Sequence, residues 1–268
     1  MVHGGRFAAS RRTARVVVAA TAVLGMSLVA GCGQRQGDPQ PYATLAQAPE
    51  RLAADGTTIM VGDPTAEIKV HLYEDMRCPV CEEFEVTGGG PALLEAVLQR
   101  EARINYTLAS FLDDRLGGSG SKKAANALRA ALEAGKFAEY HEVLYDNQPE
   151  EEVDGFTDAR LLELAEQVDG LRTPAFESAV KTMKYRAFVT ASERAYERVG
   201  TAEEQSQGQG PGTPTAVIND VKVPEDIGGV LYDPVLFTEL LELIRDRPGE
   251  WQAYKDYQPL PDPEDYGY

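Results

Sequence analysis

Apolar and polar residues alternate most clearly at Ile68-Lys69-Val70-His71-Leu72-Tyr73, which predicts a strand with one buried face. Pro79 follows closely and suits the first turn of a helix starting near Cys78. Gly88-Gly89-Gly90 interrupts that helix, and Pro91 restarts it to about Arg100. Arg103 to Leu112 reads as a second strand. Helical spacing then dominates. Ala124, Leu128, Ala131 and Leu132 share one face, and Phe137, Tyr140, Val143 and Leu144 a second. Leu161, Leu162, Leu164, Ala165 and Val168 form a third, and Pro174 opens a helix reaching about Val199. Residues 201–212, rich in Gly and Gln, read as a loop. Ala216-Val217-Ile218 and Val221-Lys222-Val223 read as short strands around an Asn219-Asp220 turn. A last helix from about Pro234 to Arg245 turns Leu236, Leu240, Leu241 and Ile244 inward.

This order of strand, helix, strand, helical block, two strands and helix predicts one α/β domain over residues 57–248, with a helical insertion at about 119–200. Residues 32–56, rich in Gly, Gln, Pro and Ala, read as a flexible tether. Residues 249–268 read as a mostly extended acidic tail, with a docking segment as the alternative.

The N-terminus adds an address. Arg6, Arg11, Arg12 and Arg15 precede an apolar run from Val16 to Ala30, the layout of a secretory signal. At about 15 residues the run is shorter than the roughly 20 that span a bilayer. Leu28-Val29-Ala30-Gly31-Cys32 closes it and resembles a bacterial lipobox, which implies cleavage after residue 31 and acylation of Cys32. An ordinary signal peptide or an uncleaved anchor are the alternatives. The expected location is the extracytoplasmic side of the cell membrane, held by a lipid anchor. Arg11-Arg12 is followed by residues that match a twin-arginine signal poorly.

The net charge is -17, and loss of residues 1–31 leaves 22 basic against 43 acidic residues. Such a surface repels phosphate backbones, so no nucleic-acid partner is expected.

Of three cysteines, lipidation of Cys32 leaves Cys78 and Cys81. One CxxC in an exported chain is not a disulfide scaffold. At a helix start, unpaired amides and the helix dipole stabilise a thiolate, the form that attacks disulfides. Cys78 is thus the expected nucleophile and Cys81, one turn further in, the resolving thiol. Half a zinc site is the first alternative, but only His71 and His141 remain to complete it, so no metal is expected. An inert disulfide is the second, and a ring this small constrains little of the unfolded chain.

Position sharpens the motif. Thr213-Pro214 stands immediately before the strand at Ala216, where a proline marks an edge or a special backbone site. Together with Val61-Gly62-Asp63-Pro64, Cys78-Pro79-Val80-Cys81, Gly135 to His141 and Gly212-Thr213-Pro214-Thr215, the chain resembles the DsbA-like branch of the thioredoxin superfamily over roughly residues 57–246. The resemblance implies a thioredoxin fold with a helical insertion and thiol–disulfide oxidoreductase activity, with no cofactor beyond the Cys78–Cys81 disulfide. It implies exported cysteine-containing proteins as substrates and a membrane redox partner that regenerates the pair. It also implies that Pro214 is cis and faces the dithiol, with Thr213, Pro214, Pro79 and Val80 meeting substrate. A reductase or isomerase using the same pair, or a redox-inactive peptide-binding module, stay open.

One position departs from that family. Many relatives carry a buried acid six residues before the first cysteine, where this chain has Leu72. Glu74 falls on the same strand face and could take that part. Glu74 and Asp75 equally fit a solvated strand end, so the proton carrier is unassigned. Pro79-Val80 also lacks the histidine of strongly oxidising relatives, so a less oxidising potential is expected.

Overall fold

The computed structural model describes residues 40–256, so residues 1–39, where the signal peptide and the lipobox with Cys32 are expected, and residues 257–268 lie outside the described part. The elements, in order, are β1 (Glu50–Leu52), β2 (Ile59–Gly62), β3 (Ile68–Asp75), α1 (Pro79–Glu82), α2 (Gly90–Leu98) and β4 (Ala102–Ala109). The insertion follows as α3 (Phe111–Leu116), α4 (Gly120–Glu133), α5 (Phe137–Asp146), α6 (Asp158–Leu164), α7 (Pro174–Lys181), α8 (Arg186–Glu197) and α9 (Ala202–Ser206). The chain then returns through β5 (Thr215–Ile218), β6 (Val221–Lys222), α10 (Pro234–Asp246) and α11 (Pro248–Gln252). Among the described residues no helix is long and apolar enough to cross a membrane.

The six strands form one mixed sheet in the order β1-β2-β4-β3-β5-β6. Ile68, Val70 and Leu72 of β3 point to a buried face of the sheet while Lys69 on the other is exposed, and β3 is an inner strand between β4 and β5. β5 runs antiparallel to β3, with Tyr73 opposite Thr215. The start of β5 therefore lies at the end of β3, and this pairing brings residues 213–214 beside residues 76–78. Asn219 and Asp220, both at positive φ, make the tight turn expected between β5 and β6.

Several boundaries differ from the sequence pattern. Residues 40–56 are part of the fold: β1 pairs with β2, and the Glu50 carboxylate accepts from Phe137 N and Ala138 N at 2.8 and 3.1 Å. Glu50 thus caps the exposed amides at the start of α5, a long-range role that composition does not signal. β4 stops at Ala109, and Phe111 and Leu112 open α3. The helix expected from Pro174 to Val199 is broken at Met183, whose φ of 50° cannot continue it. The loop at 201–212 contains α9. On α10, Leu236 faces solvent at 48% exposure, and Phe237 takes the buried place.

The triple glycine is a packing device. A side chain on Gly89 would meet the Phe237 ring at 2.5 Å, and one on Gly90 would meet the Glu85 backbone at 2.6 Å. Only bare backbone lets α2 lie this close to α10. The C-terminal segment also packs: Trp251 of α11 is buried and donates Nε1–H to Ile218 O at 2.7 Å. The expected tail at 249–268 therefore begins with docked structure, because a Trp ring brings a large apolar area and one donor that finds a strand carbonyl.

Candidate active site

Cys78 is the N-cap of α1, with extended backbone, and its carbonyl accepts from Cys81 N and Glu82 N, each at 3.1 Å. Pro79 occupies the first helical position, where a missing N–H costs nothing. Pro79 and Val80 are exposed, Cys78 is mostly covered, and Cys81 is fully buried. Opposite them the Thr213–Pro214 bond is cis, and the Cys78 thiol donates to Thr213 O at 3.3 Å. Both residues are half-buried, and Thr213 Oγ1 has no hydrogen-bond partner. Tyr196 Oη accepts from Gly212 N at 3.1 Å and steadies this loop from the insertion.

The two thiols are driven apart in acidity. The Cys81 thiol, hydrogen-bonded to Cys78, brings the latter down to about 6; burial opposes this, and Thr213 and the Cys81 and Val80 amides reinforce it. Burial pushes Cys81 well above the ordinary thiol value, and its hydrogen bond to Cys78 and the charges of Cys78 and Glu74 add to that. One thiol is thus an anion near neutral pH while its neighbour holds its proton. Nucleophile and resolving group need this asymmetry.

Behind Cys81 lies a buried polar cluster. Glu74, the last residue but one of β3, is fully buried, and His141 Nε2 lies 3.0 Å from its Oε2. Glu85 joins from a widened π turn over Glu83–Thr87, in which consecutive Phe84 and Glu85 both face inward. Burial raises Glu74 to about 7, and a hydrogen bond from Glu85 works against that. Burial and the Glu74 charge push Glu85 well above the carboxylate range, while burial lowers His141. Two adjacent carboxyls in such a site hold one proton between them. Their donor atoms and His141 Nε2 lie within 4.8 Å of one another, the one set among the described residues with metal-ligand spacing.

The other residues sort plainly. Asp75 is buried and raised to about 7 by burial, against hydrogen bonds from Ser121 Oγ at 2.5 Å, Arg77 N at 3.0 Å and Leu112 N at 3.1 Å. Arg77 is buried, pairing with Asp113 at 3.0 Å and donating to Gly117 O and Glu151 O. His71 is held away from His141, with Nε2 2.8 Å from Thr107 Oγ1 and its ring stacked on Tyr73. Glu85, Asp113 and Gln148 were not singled out in the sequence. Glu85 had a signal: it stands four residues after Cys81, on the same helical face.

A thioredoxin-fold site is defined by this combination of a dithiol at a helix start and a cis-proline loop on the neighbouring strand. The Thioredoxin_4 family model, described as thioredoxin, matches residues 54–231, and the chain belongs to that family. Its fold is similar to that of oxidised BdbD from Bacillus subtilis, at 17% identity and a TM-score of 0.55, over 76% of this chain and 97% of that one. It is also similar to MdbA, a thiol-disulfide oxidoreductase from Corynebacterium diphtheriae, at 20% identity and a TM-score of 0.55, over 74% and 98%. The reduced disulfide bond oxidoreductase DsbG from Mycobacterium tuberculosis matches at 24% identity and a TM-score of 0.54, over 80% and 95%. These structural matches show the shared DsbA-like fold. Comparison with curated proteins found no match.

Proposed function

We propose that the chain is a thiol–disulfide oxidoreductase acting on exported proteins, lipid-anchored through Cys32, with Cys78 as nucleophile and Cys81 as resolving thiol. The observation that carries this reading is the split acidity of the two cysteines beside the cis-proline loop. In the oxidising direction a substrate thiolate attacks Cys78 Sγ, the Cys78–Cys81 bond breaks, and Cys81 leaves with the electron pair. The Glu74–Glu85 pair supplies the proton that Cys81 takes up. A second substrate thiolate then displaces Cys78, which leaves as a thiolate without needing a proton. The substrate gains a disulfide, the enzyme becomes a dithiol, and a membrane partner accepts the two electrons. The reverse sequence reduces a substrate disulfide.

The test is alkylation of the reduced protein across pH, followed by equilibration with glutathione. Rapid labelling of Cys78 at pH 6 is expected, and labelling at the rate of a free cysteine overturns the reading. A potential above roughly -230 mV supports net oxidation, and one near thioredoxin's value of about -270 mV assigns the same pair to reduction.

A further inference from the structure

The dithiol opens an α-helical turn, Pro79–Glu82, that runs on into the π turn at Glu83–Thr87, and the side chain of its N-cap, Cys78, makes no capping hydrogen bond. What holds the carbonyl at its first peptide comes from the insertion. Gln148 Nε2 donates to Met76 O and to Cys78 O, each at 3.0 Å. One side-chain amide thereby pins the carbonyls on both sides of Arg77, and both its hydrogens are committed to the backbone of the site. Gln148 is anchored in turn, since its own N–H donates to Tyr145 O at the end of α5.

We propose that Gln148 is a positioning residue of the dithiol site, fixing the Cys78 carbonyl so that the first turn of α1 aims its amides at the nucleophilic sulfur. The Cys78 carbonyl already receives Cys81 N and Glu82 N. Rotation of this peptide would swing the whole first turn, and with it the Val80 and Cys81 amides that stabilise the anion. The donating end of the Gln148 amide also stands one carbonyl away from that charge. Cys81 on α1 and Thr213 before β5 also lower Cys78 against the effect of burial, and the Cys78 charge in turn raises Glu74 on β3, Tyr145 on α5 and Tyr232 before α10.

The inference rests on the oxidoreductase reading, and one titration separates the two. The full chain is reduced, and the alkylation rate of Cys78 is followed against pH for the wild type and for Gln148→Ala, Gln148→Glu and Gln148→Lys, with thermal midpoints read in parallel. Gln148→Ala is expected to raise the alkylation midpoint by roughly half a unit to one unit, the equivalent of one lost hydrogen bond. Gln148→Glu should raise it further, because the carboxylate cannot donate and opposes the thiolate. Gln148→Lys restores a donor with positive charge and should return the midpoint to the wild-type value or below. A wild-type midpoint at the free-cysteine value overturns the oxidoreductase reading. A depressed wild-type midpoint that all three variants share overturns the role of Gln148 alone, even if their thermal midpoints fall.

Discussion

Cys78 Sγ lies 3.3 Å from the carbonyl oxygen of Thr213, a residue 135 positions further along the chain. The protonated thiol donates to that carbonyl, so ionisation turns the contact from attractive to repulsive. The Thr213 hydroxyl, without another partner, is the group placed to compensate. Thr213→Val is therefore expected to raise the alkylation midpoint of Cys78 from about 6 by roughly half a unit to one unit, and Thr213→Ser to preserve it. Rates of iodoacetamide labelling between pH 4 and pH 9 decide between these outcomes.

The same thiol makes the reduced protein's stability depend on pH. Its folded value, about 6, lies below its unfolded value, 9.0, so between them the unfolded chain binds more protons. Cys78 contributes stability that is fully present above the unfolded value and lost as pH falls through about 6. Urea unfolding in reductant should show a gap between wild type and Cys78→Ser that widens with rising pH, by at most roughly 1.4 kcal/mol per unit. A constant gap would refute the linkage.

Glu74 and Glu85 titrate with the opposite sign. Burial raises both, so the folded state favours the protonated carboxyl, and stability is lost as pH rises from 4.5 through about 7, the folded value of Glu74. Glu85→Gln keeps the shape and removes the shared proton. We expect a flatter stability curve over that window and resolution of a mixed disulfide slowed about 10²-fold or more, the usual weight of a placed proton carrier. Single-turnover release of a thiol leaving group from Cys78 measures the second effect, and an unchanged rate would remove Glu85 from the chemistry.

Trp251 tests the docked C-terminal segment. Its ring is buried, and its N–H is spent on the Ile218 carbonyl of β5. Trp251→Ala should cost about 3–5 kcal/mol in urea unfolding, whereas Trp251→Phe, which loses chiefly the hydrogen bond and part of the ring, should cost about half that or less. A loss below about 1 kcal/mol for the alanine variant would mean that α11 is dispensable.

Local pattern was a good guide where one segment decides its own structure. The alternation at 68–73, Pro79 behind Cys78, the Asn219-Asp220 turn and Pro234 at the start of α10 are each legible because periodicity and backbone chemistry act within a few residues. It failed where distant partners decide. Residues 40–56 read as a tether because Glu50 finds its amides only across the fold, and 249–256 read as tail because Trp251 needs β5.

By itself, then, the sequence determined the dithiol, its place at a helix start, the cis-proline loop that the family implies, and the single α/β domain. Only the tertiary structure decided the electrostatics around them. Whether Glu74 and Asp75 were solvated or buried depended on what covers the end of β3, and helices of the insertion cover it. The pairing of Glu74 with Glu85 and His141, and of Gln148 with the carbonyls beside Cys78, joins residues from separate elements. Acidity responds to every charge and dipole nearby in space, and a linear chain does not order its residues by distance.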